Sequence, residues 1–364
     1  MLQYQIGITL LPGIGDVIGK KLIAYCGGVE AVFKQKKNAL EKVPNVGKKL
    51  VDSILSQNVL GRAEEEMAFL EKHNILPLFY LDKKYPARLK NCADSPMMLY
   101  FLGNADLNVP KIVSVVGTRS ATDYGKMMCD KIIEGLAPYD VLVVSGLAYG
   151  IDTNSHRGAL ENKLKTVAVL GHGLDKIYPY ANKSLAQKMV DRGGLLTDYM
   201  SKTNPDRENF PKRNRIIAGI SDATIVIEAG KKGGALITAE IANSYNRDVF
   251  SVPGRIGDAF SEGCNFLIKT NKAALIQSAD DVAYIMGWEL PGVVKKSRQH
   301  ELFVVLTEDE EKVVKVLREN DLPGIDKIVQ QTGLTTSKVA AALLNLEFQG
   351  LLRALPGKVY KLEF

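Results

Sequence analysis

Residues 141–152 read VLVVSGLAYGID, a short apolar run followed by two glycine turns. An apolar run without polar alternation is typical of a strand that is buried on both faces, as in a parallel sheet. Similar runs rich in β-branched residues recur along the centre of the chain, at residues 111–116, 141–145, 167–170, 224–228 and 249–252. Helical patterns lie between them, including residues 124–136, 182–192, 214–219 and 235–245. This alternation predicts a doubly wound α/β domain with a mainly parallel sheet.

Each predicted strand ends in a glycine turn, and most of these turns carry a hydroxyl or a cation. Ligands of open α/β sheets collect at the carboxyl ends of the strands, where glycine lets backbone amides approach a phosphate. The turns are GTRS at residues 117–120, SG at 145–146, GHG at 171–173, AGKKGGA at 229–235 and PGR at 253–255. No single turn is specific, but five at one sheet edge predict a phosphate-binding groove.

Residues 210–215 read FPKRNR and precede the apolar part of a predicted helix. Pro211 fits the first helical position, which places Lys212 and Arg213 in the first turn. Cations there oppose the helix macrodipole by a few tenths of a kcal/mol to ~1 kcal/mol each, unless an anion lies nearby. We therefore expect a phosphate at this helix start. The alternative is a solvated basic loop that pairs with the acidic residues just upstream.

The composition is that of an ordinary globular protein, with 364 residues, 46% hydrophobic and 24% charged. The formal net charge is +6 at pH 7, but it is unevenly placed. Residues 301–364 hold ten acidic and eight basic residues, a net charge of −2, which leaves +8 for residues 1–300. An anionic partner is therefore expected to bind the first 300 residues.

Several classes of protein and site are not supported by the sequence. No run approaches the ~20 apolar residues of a membrane span, and the N-terminus lacks a signal-peptide pattern. The histidines show no metal-ligand spacing, and neither GxxxxGK[ST] nor GxGxxG occurs, so we expect no metal and no nucleotide cofactor. We expect a cytoplasmic protein without a membrane partner and with reduced, scattered thiols, at Cys26, Cys92, Cys129 and Cys264.

A short pattern occurs twice near the start of the chain. LPGIG at residues 11–15 precedes a basic, apolar-periodic helix, and VPNVG at residues 43–47 precedes another. The pair resembles a tandem helix-hairpin-helix module, here over residues 1–75, in which the backbone amides of the turns contact a DNA phosphate. The alternative is a helical domain that uses these turns only for tight packing, and the sequence leaves both open.

The end of the chain predicts a winged-helix domain over residues 308–364, after a linker at residues 291–307. Three helical patterns (residues 309–319, 324–331 and 335–348) are followed by a hairpin with its turn at Pro356-Gly357. The helix in the recognition position offers only Lys338 as a cation. Helices that read a DNA groove normally carry several Arg, Lys, Asn or Gln side chains. We therefore expect this domain to contact protein rather than DNA.

Seven motifs run through the central part of the chain in a specific order. They are GTR with YG (residues 117–119 and 124–125), SGLAYGID (145–152), GHGLDKIYP (171–179), FPKRNRIIAG (210–219), GGALITAEIA (233–242), VPG (252–254) and GCNFLI (263–268). Together they resemble the DprA/Smf family of DNA-processing proteins. The resemblance implies an extended Rossmann-like domain over residues 76–290 that binds DNA, between the helical module and the winged helix.

The resemblance also implies a function, a site and partners. The family binds single-stranded DNA in natural transformation, protects it and loads a RecA-type recombinase; it is not known as an enzyme. It forms homodimers through the central domain, for which we expect residues 266–273 to be used, and single-strand binding protein is a further expected partner. Arg119 would hold a phosphate, Lys212 and Arg213 would flank the strand, and Phe210 would stack on a base. The expected DNA-binding residues are Arg119, Ser145, Gly146, Phe210, Lys212, Arg213, Asn214, Gly233, Gly234 and Thr238.

Two departures and two alternatives accompany this interpretation. Gly233-Gly234-Ala235 stands where the family usually has serine-glycine-serine, and Asp198 stands where a glutamate is usual. One alternative is an enzyme similar to nucleotide phosphoribohydrolases, because Gly233-Gly234 with Thr238 and Glu240 resembles their nucleotide loop. The other is a scaffold protein whose central pocket has no ligand.

Overall fold

The computed structural model describes residues 1–290, 306–320, 322–349, 351–355 and 359–362. The chain divides into two compact units, Met1–Pro291 and Gly292–Phe364. Each unit buries apolar side chains in a core of its own. Within the described ranges, no helix is both long enough and apolar enough to span a bilayer.

The first unit begins with short helices. They are α1 (Leu2–Thr9), α2 (Asp16–Cys26), α3 (Val29–Lys34), α4 (Lys37–Leu40), α5 (Lys48–Leu55) and α6 (Leu60–Lys72). The two repeated patterns adopt the same turn, with φ of +78° at Gly13 and +68° at Asn45. In each, the glycine two positions later caps the next helix. The sequence repeat is therefore a repeat of backbone conformation.

The helical module shares a core with the first two strands, since buried Leu22 and Val51 belong to the same cluster as Met98 and Tyr100. The module therefore packs onto the sheet through a common core. The first repeated turn packs against the rest of the unit: the carboxylate of Asp16 accepts the Met97 amide at 2.7 Å. The second turn faces solvent with exposed lysines.

A nine-stranded sheet forms the centre of the first unit, in the order β1-β2-β6-β5-β4-β3-β7-β8-β9. The β1/β2 and β2/β6 pairs are antiparallel and the other pairs are parallel. The strands are β1 (Leu76–Phe79), β2 (Met98–Gly103), β3 (Ile112–Val116), β4 (Leu142–Ser145), β5 (Thr166–Val169), β6 (Gly193–Thr197), β7 (Ala223–Val226), β8 (Asp248–Ser251) and β9 (Ala274–Leu275).

The five predicted strands are β3, β4, β5, β7 and β8, which confirms the doubly wound, mainly parallel fold. The helices that connect and cover the strands are α7 (Ala87–Lys90), α8 (Asp123–Leu136), α9 (Ile151–Glu161), α10 (Lys183–Asp191), α11 (Asn209–Ile220), α12 (Gly234–Ser244), α13 (Glu262–Lys269) and α14 (Ala279–Met286). From β3 the chain proceeds to one side as far as β6 and then returns to β7 on the other. The carboxyl ends of β3 and β7 therefore flank the topological switch point, where open α/β sheets bind ligands.

Helix α11 begins earlier than the sequence predicted. Its first residue is Asn209, so Pro211 is the third helical residue and not the first. A proline is tolerated there because the first four amides of a helix have no partner within it. As a consequence Arg213 lies in the second turn, beyond the strongest part of the helix dipole.

The second unit consists of α15 (Glu308–Glu319), α16 (Ile325–Thr332), α17 (Thr336–Phe348) and an antiparallel hairpin of β10 (Leu352–Leu355) and β11 (Val359–Leu362). Helix α15 begins with a capping box between Thr307 and Glu310. This order of three helices and a hairpin is the predicted winged-helix arrangement. The predicted turn at Pro356-Gly357 and residues 291–305 of the predicted linker lie outside the described residues.

Candidate nucleic-acid interface

A cation and three aromatic rings meet at the carboxyl edge of the sheet. The guanidinium of Arg119, just after β3, lies 5.5 Å from the ring centroid of Phe210 in the first turn of α11. Phe210 stacks with Tyr178 at a centroid distance of 5.8 Å and an interplanar angle of 30°. Tyr149 lines the same small cavity, of about 20 Å³. We call Arg119, Tyr149, Tyr178 and Phe210 the Arg119–Phe210 cluster.

The chemistry of this cluster suits a nucleic-acid strand. A guanidinium binds phosphate, and aromatic faces stack on bases without regard to sequence. Tyr178 is 46% exposed and Tyr149 is 51% exposed, so both rings are accessible. Neither tyrosine was predicted from the sequence as a site residue. The signal was present, because both lie in glycine-containing turns that follow predicted strands.

Gly150 allows the loop that carries Arg119 to lie against the start of α9. It adopts φ of +75°, and an added Cβ would lie 2.2 Å from the carbonyl oxygen of Thr118. The Ile151 amide donates to that same carbonyl at 3.2 Å. Only glycine combines this backbone conformation with so close an approach. The position of Arg119 therefore depends on Gly150.

Arg213 is buried under the Arg119–Phe210 cluster and is not exposed at the surface. Its side chain is only 4% exposed, and Nη1 donates to the carbonyl oxygens of Gly146, at 2.9 Å, and of Val169. Burial lowers its pKa to about 10, although the Asp152 carboxylate acts in the opposite direction. Arg213 lines the same cavity as Arg119 and Phe210, and its contact with DNA stays a prediction, but carbonyls at the sheet edge already bind its guanidinium.

The turn after β4 is built around Asp152. Its carboxylate accepts the amides of Gly146, at 3.1 Å, and Ala148, at 3.3 Å. Leu147 between them adopts φ of +58°, a conformation that costs of order 1–3 kcal/mol in a bulky residue and persists because its side chain is buried. Burial raises the pKa of Asp152, and Arg213 and the two amides oppose that rise. The Gly146 amide therefore serves the turn itself.

The side chain of Ser145 binds within the protein. Its side chain is fully buried, and the hydroxyl donates to the carbonyl oxygen of Val115 at 2.6 Å. This bond joins β4 to β3. The Ser145-Gly146 turn thus shapes the floor of the groove, and a contact of its backbone with a phosphate stays a prediction.

Lys212 is the exposed cation of the FPKRNR segment. Its ammonium lies 3.7 Å from the carboxylate of Glu208, and both side chains are largely in water. An exposed pair of this kind contributes little stability, so Lys212 stays available to an anion. In the unbound protein, Lys212 therefore fits the alternative interpretation: it is a solvated cation that pairs with an acidic residue just upstream.

Arg215 joins the helical module to the sheet. It pairs with Asp198 at 2.8 Å and with Asp16 at 3.1 Å, and it donates to the carbonyl oxygen of Asp94. Burial lowers its pKa, but these acidic neighbours outweigh burial and raise it overall. Asp198, where the family usually has glutamate, thus has a structural partner. The charge of Arg215 is compensated within the protein.

The start of α12 is open to solvent at the same edge. Gly233 and Gly234 are exposed, with Gly233 at the cap position. The carbonyl oxygen of Gly234 accepts both Asn214 Nδ2, at 3.3 Å, and Thr238 Oγ1, at 3.0 Å. Asn214 therefore ties α11 to α12. Lys231 and Lys232, not among the expected site residues, are exposed beside the two glycines.

Comparison with known proteins gives a consistent result. Residues 77–287 match the family model of DNA recombination-mediator protein A, and residues 304–358 match the DprA winged helix domain. Protein Smf of Synechocystis is 34% identical and covers 98% of each chain. DNA processing protein DprA of Streptococcus pneumoniae is 45% identical over 56% of this chain and 71% of its own length.

Two solved structures are also similar. The X-ray structure of DprA from S. pneumoniae has a TM-score of 0.67 at 34% identity and covers 80% of this chain and 99% of its own. DNA processing protein A from Helicobacter pylori, described for its single-stranded DNA binding mode, has a TM-score of 0.54 at 28% identity and covers 59% and 97%. With the order of motifs and the sheet topology, these matches show that the chain belongs to the DNA recombination-mediator protein A (DprA/Smf) family.

Proposed function

We propose that this protein binds single-stranded DNA along the carboxyl edge of its sheet and, in natural transformation, protects that DNA and loads a RecA-type recombinase onto it. Family membership and the single-stranded DNA binding mode described for the H. pylori relative support this proposal. The observation that carries it is the contact of the Arg119 guanidinium with the Phe210 ring, which in turn stacks on Tyr178.

The proposal gives different roles to the residues at this edge. Arg119 binds a phosphate, while Phe210 and the exposed tyrosines offer ring faces to the bases, each worth ~1–3 kcal/mol. The amides at Gly233 and Gly234 bind a second phosphate at the start of α12, and Lys212 adds charge at the rim. Arg213, Asp152, Ser145 and Gly146 hold the floor in place, so their contribution to binding is indirect.

A homodimer is part of the proposal, formed through the edge of the sheet. Phe266 on α13 is 51% exposed, and Leu275 on the edge strand β9 is also exposed. An exposed sheet edge with apolar side chains is a common surface for association. This exposure supports an interface that includes residues 266–273. The RecA-type recombinase and single-strand binding protein are proposed as partners on the basis of the family resemblance.

The alternative of a nucleotide phosphoribohydrolase-type enzyme receives less support from the geometry. Glu240, which would handle the nucleotide, lies on the exposed face of α12 and pairs with Lys272 at 2.5 Å. The Thr238 hydroxyl is bonded to the Gly234 carbonyl within the helix. Release of a free base from a nucleoside monophosphate by the purified protein would restore this alternative.

Fluorescence anisotropy of labelled DNA tests the proposal. We expect tight, salt-sensitive binding of single strands with weaker binding of duplex, because only unpaired bases expose their faces. Arg119→Glu should weaken single-strand binding at least about tenfold, since a phosphate contact becomes a repulsion. Lys188→Glu is the matched control, because this exposed lysine lies in the last turn of α10, at the opposite edge of the sheet. Wild-type affinity in Arg119→Glu, or equal affinity for duplex, would contradict the model.

A further inference from the structure

A larger cavity, of about 850 Å³, lies beside the topological switch point. Its walls come from the start of α8, the residues after β7 and the loop at residues 253–261 after β8. This volume is within the ~300–1,000 Å³ typical of small-molecule sites. We call it the switch-point cavity, and the lining residues that matter here are Thr122, Tyr124, Glu228, Gly254, Arg255 and Phe260.

A buried carboxylate lines this cavity. Glu228 is 4% exposed and accepts two bonds from one residue, the Thr122 amide at 3.0 Å and the Thr122 hydroxyl at 2.6 Å. Within the described residues, it forms no ion pair with lysine or arginine. A carboxylate accepts about four hydrogen bonds, so each oxygen of Glu228 retains acceptor capacity. Burial of a charge without a counter-ion is costly, which favours a ligand that donates to it.

Aromatic faces and a cation complete the cavity. The rings of Tyr124 and Phe260 are partly exposed, and the Tyr124 hydroxyl donates to the carbonyl oxygen of Pro253 at 2.7 Å, which fixes that ring. Arg255 is exposed and unpaired in the described part of the chain, while Asp258 on the same loop is also exposed. A buried acceptor between ring faces, with a cation at the rim, matches a nucleotide: a planar base with donor groups and a phosphate.

The cavity is close to the proposed DNA path. The loop between β3 and α8 contributes Arg119 to the Arg119–Phe210 cluster and Thr122 to the cavity. Three residues span at most about 11 Å, so a strand held at Arg119 brings neighbouring nucleotides to the cavity mouth. Because one loop contributes to both sites, the geometry points to a base of the same DNA strand as the ligand of the switch-point cavity.

We propose that the switch-point cavity is a second nucleotide subsite, which takes an amino-bearing base of the bound strand. Glu228 accepts from the exocyclic amine, as carboxylates do from cytosine N4. Thymine has no amine, and its N3–H lies between two carbonyl oxygens that repel the carboxylate. This inference rests on the proposed single-strand binding and adds to it a modest preference for base type.

The test compares two labelled strands of equal length, one of cytosine and one of thymine, by anisotropy. The wild-type protein should bind the cytosine strand at least about fivefold more tightly. Glu228→Gln should lower that affinity to the value for thymine and leave thymine binding unchanged. Glu134→Gln, an exposed glutamate on α8, is the matched control and should keep the preference.

A second variant is needed because Glu228 also binds Thr122 and its replacement could disturb α8. Tyr124→Ala removes a wall of the cavity without changing the carboxylate, and it should abolish the cytosine preference as well. Equal wild-type affinity for the two strands, or a preference that survives both changes, overturns the proposal. Binding of dCMP that depends on Glu228, without any strand preference, would assign the cavity to a free nucleotide and also overturn it.

The same experiment separates this inference from the proposed function. Arg119→Glu should weaken binding of both strands by the same factor and leave their ratio intact. If Arg119→Glu binds both strands like the wild type, the proposed groove is wrong, while the effect of Glu228→Gln on the ratio still decides the role of the cavity.

Discussion

Two adjacent cations show how environment separates residues that look alike in sequence. Lys212 lies in water beside Glu208, whereas Arg213 is buried against two carbonyls and close to Asp152. Water screens the charge of Lys212, and water molecules can replace its contact with Glu208. The buried charge of Arg213 acts on the buried Asp152 carboxylate, so its loss leaves Asp152 without that nearby cation.

We predict that Arg213→Met lowers the free energy of unfolding by about 3–5 kcal/mol, the usual cost of removing one partner of a buried charge pair. Lys212→Met, the same substitution next to it, should change that free energy by less than about 0.5 kcal/mol. Urea unfolding followed by circular dichroism measures both. Equal effects of the two substitutions would show that Arg213 is not held as described.

Burial of His156 predicts a pH dependence of stability. The side chain is fully buried with Nδ1 2.7 Å from the Thr166 hydroxyl, and burial lowers its pKa to about 3 from the ordinary 6.5. Between these values the unfolded state binds the proton and the folded state does not. Stability should therefore fall as the pH drops below about 6.5, by up to ~1.4 kcal/mol per pH unit.

Urea unfolding at several pH values between about 7.5 and 5 checks this slope. His156→Gln, which keeps a polar partner for Thr166, should flatten it. Part of the slope should remain, because burial lowers the pKa of His172 as well. A slope unchanged by the substitution would mean that His156 is not the neutral, buried group described.

At the scale of elements, the groove consists of turns that place side chains from separate strands at one edge. The loop after β3 supplies Arg119, the turn before α9 supports it, and the start of α11 brings Phe210 to it. These turns depend on close backbone approach, which is why glycine recurs. Gly150 is the clearest case, since both its φ and its distance to Thr118 exclude a side chain.

We predict that Gly150→Ala displaces the Thr118–Arg119 backbone and weakens single-strand binding, because the new Cβ would overlap a carbonyl oxygen that cannot rotate away. A loss of stability of more than about 1 kcal/mol should accompany it. Gly61→Ala in α6 is the matched control: nothing lies within 4 Å of its added Cβ, and alanine favours helix. Anisotropy measures the DNA affinity of both variants, and urea unfolding measures their stability. Unchanged DNA affinity in Gly150→Ala would contradict the role of Gly150 in positioning Arg119.

At the scale of the whole molecule, positive charge and the candidate interface both belong to the first unit. In the second unit, Lys338 on α17 pairs with Asp309 at 3.1 Å, and Phe348 on the same helix is 83% exposed. An exposed apolar side chain and a paired lysine on the helix in the recognition position agree with the expectation of protein contact.

A chain that ends at Pro291 should therefore keep single-strand affinity within about twofold, with the same dependence of log Kd on log salt concentration, since no phosphate contact is removed. Salt-titrated anisotropy of the shortened and full chains makes the comparison. A markedly shallower salt dependence in the shortened chain would place phosphate contacts in the second unit.

Much of the fold is predictable from the sequence because its signals are local. Apolar, β-branched runs predicted the five central parallel strands, and the glycine turns after them predicted which edge binds ligands. Strands β1, β2, β6 and β9 were missed: β6 begins with two glycines, β9 has only two exposed residues, and the antiparallel strands β1 and β2 contain no β-branched residue.

The sequence by itself determined the doubly wound sheet, the order of the units, the family and the cations at one edge. Only the tertiary structure decided which cations face solvent and which are compensated. Arg215 meets Asp16, which is 199 residues away, and Arg213 meets the carbonyls of Gly146, just after β4, and of Val169, at the end of β5. The physical reason is that strand patterns depend on neighbouring residues, whereas burial and charge compensation depend on groups that only folding brings together.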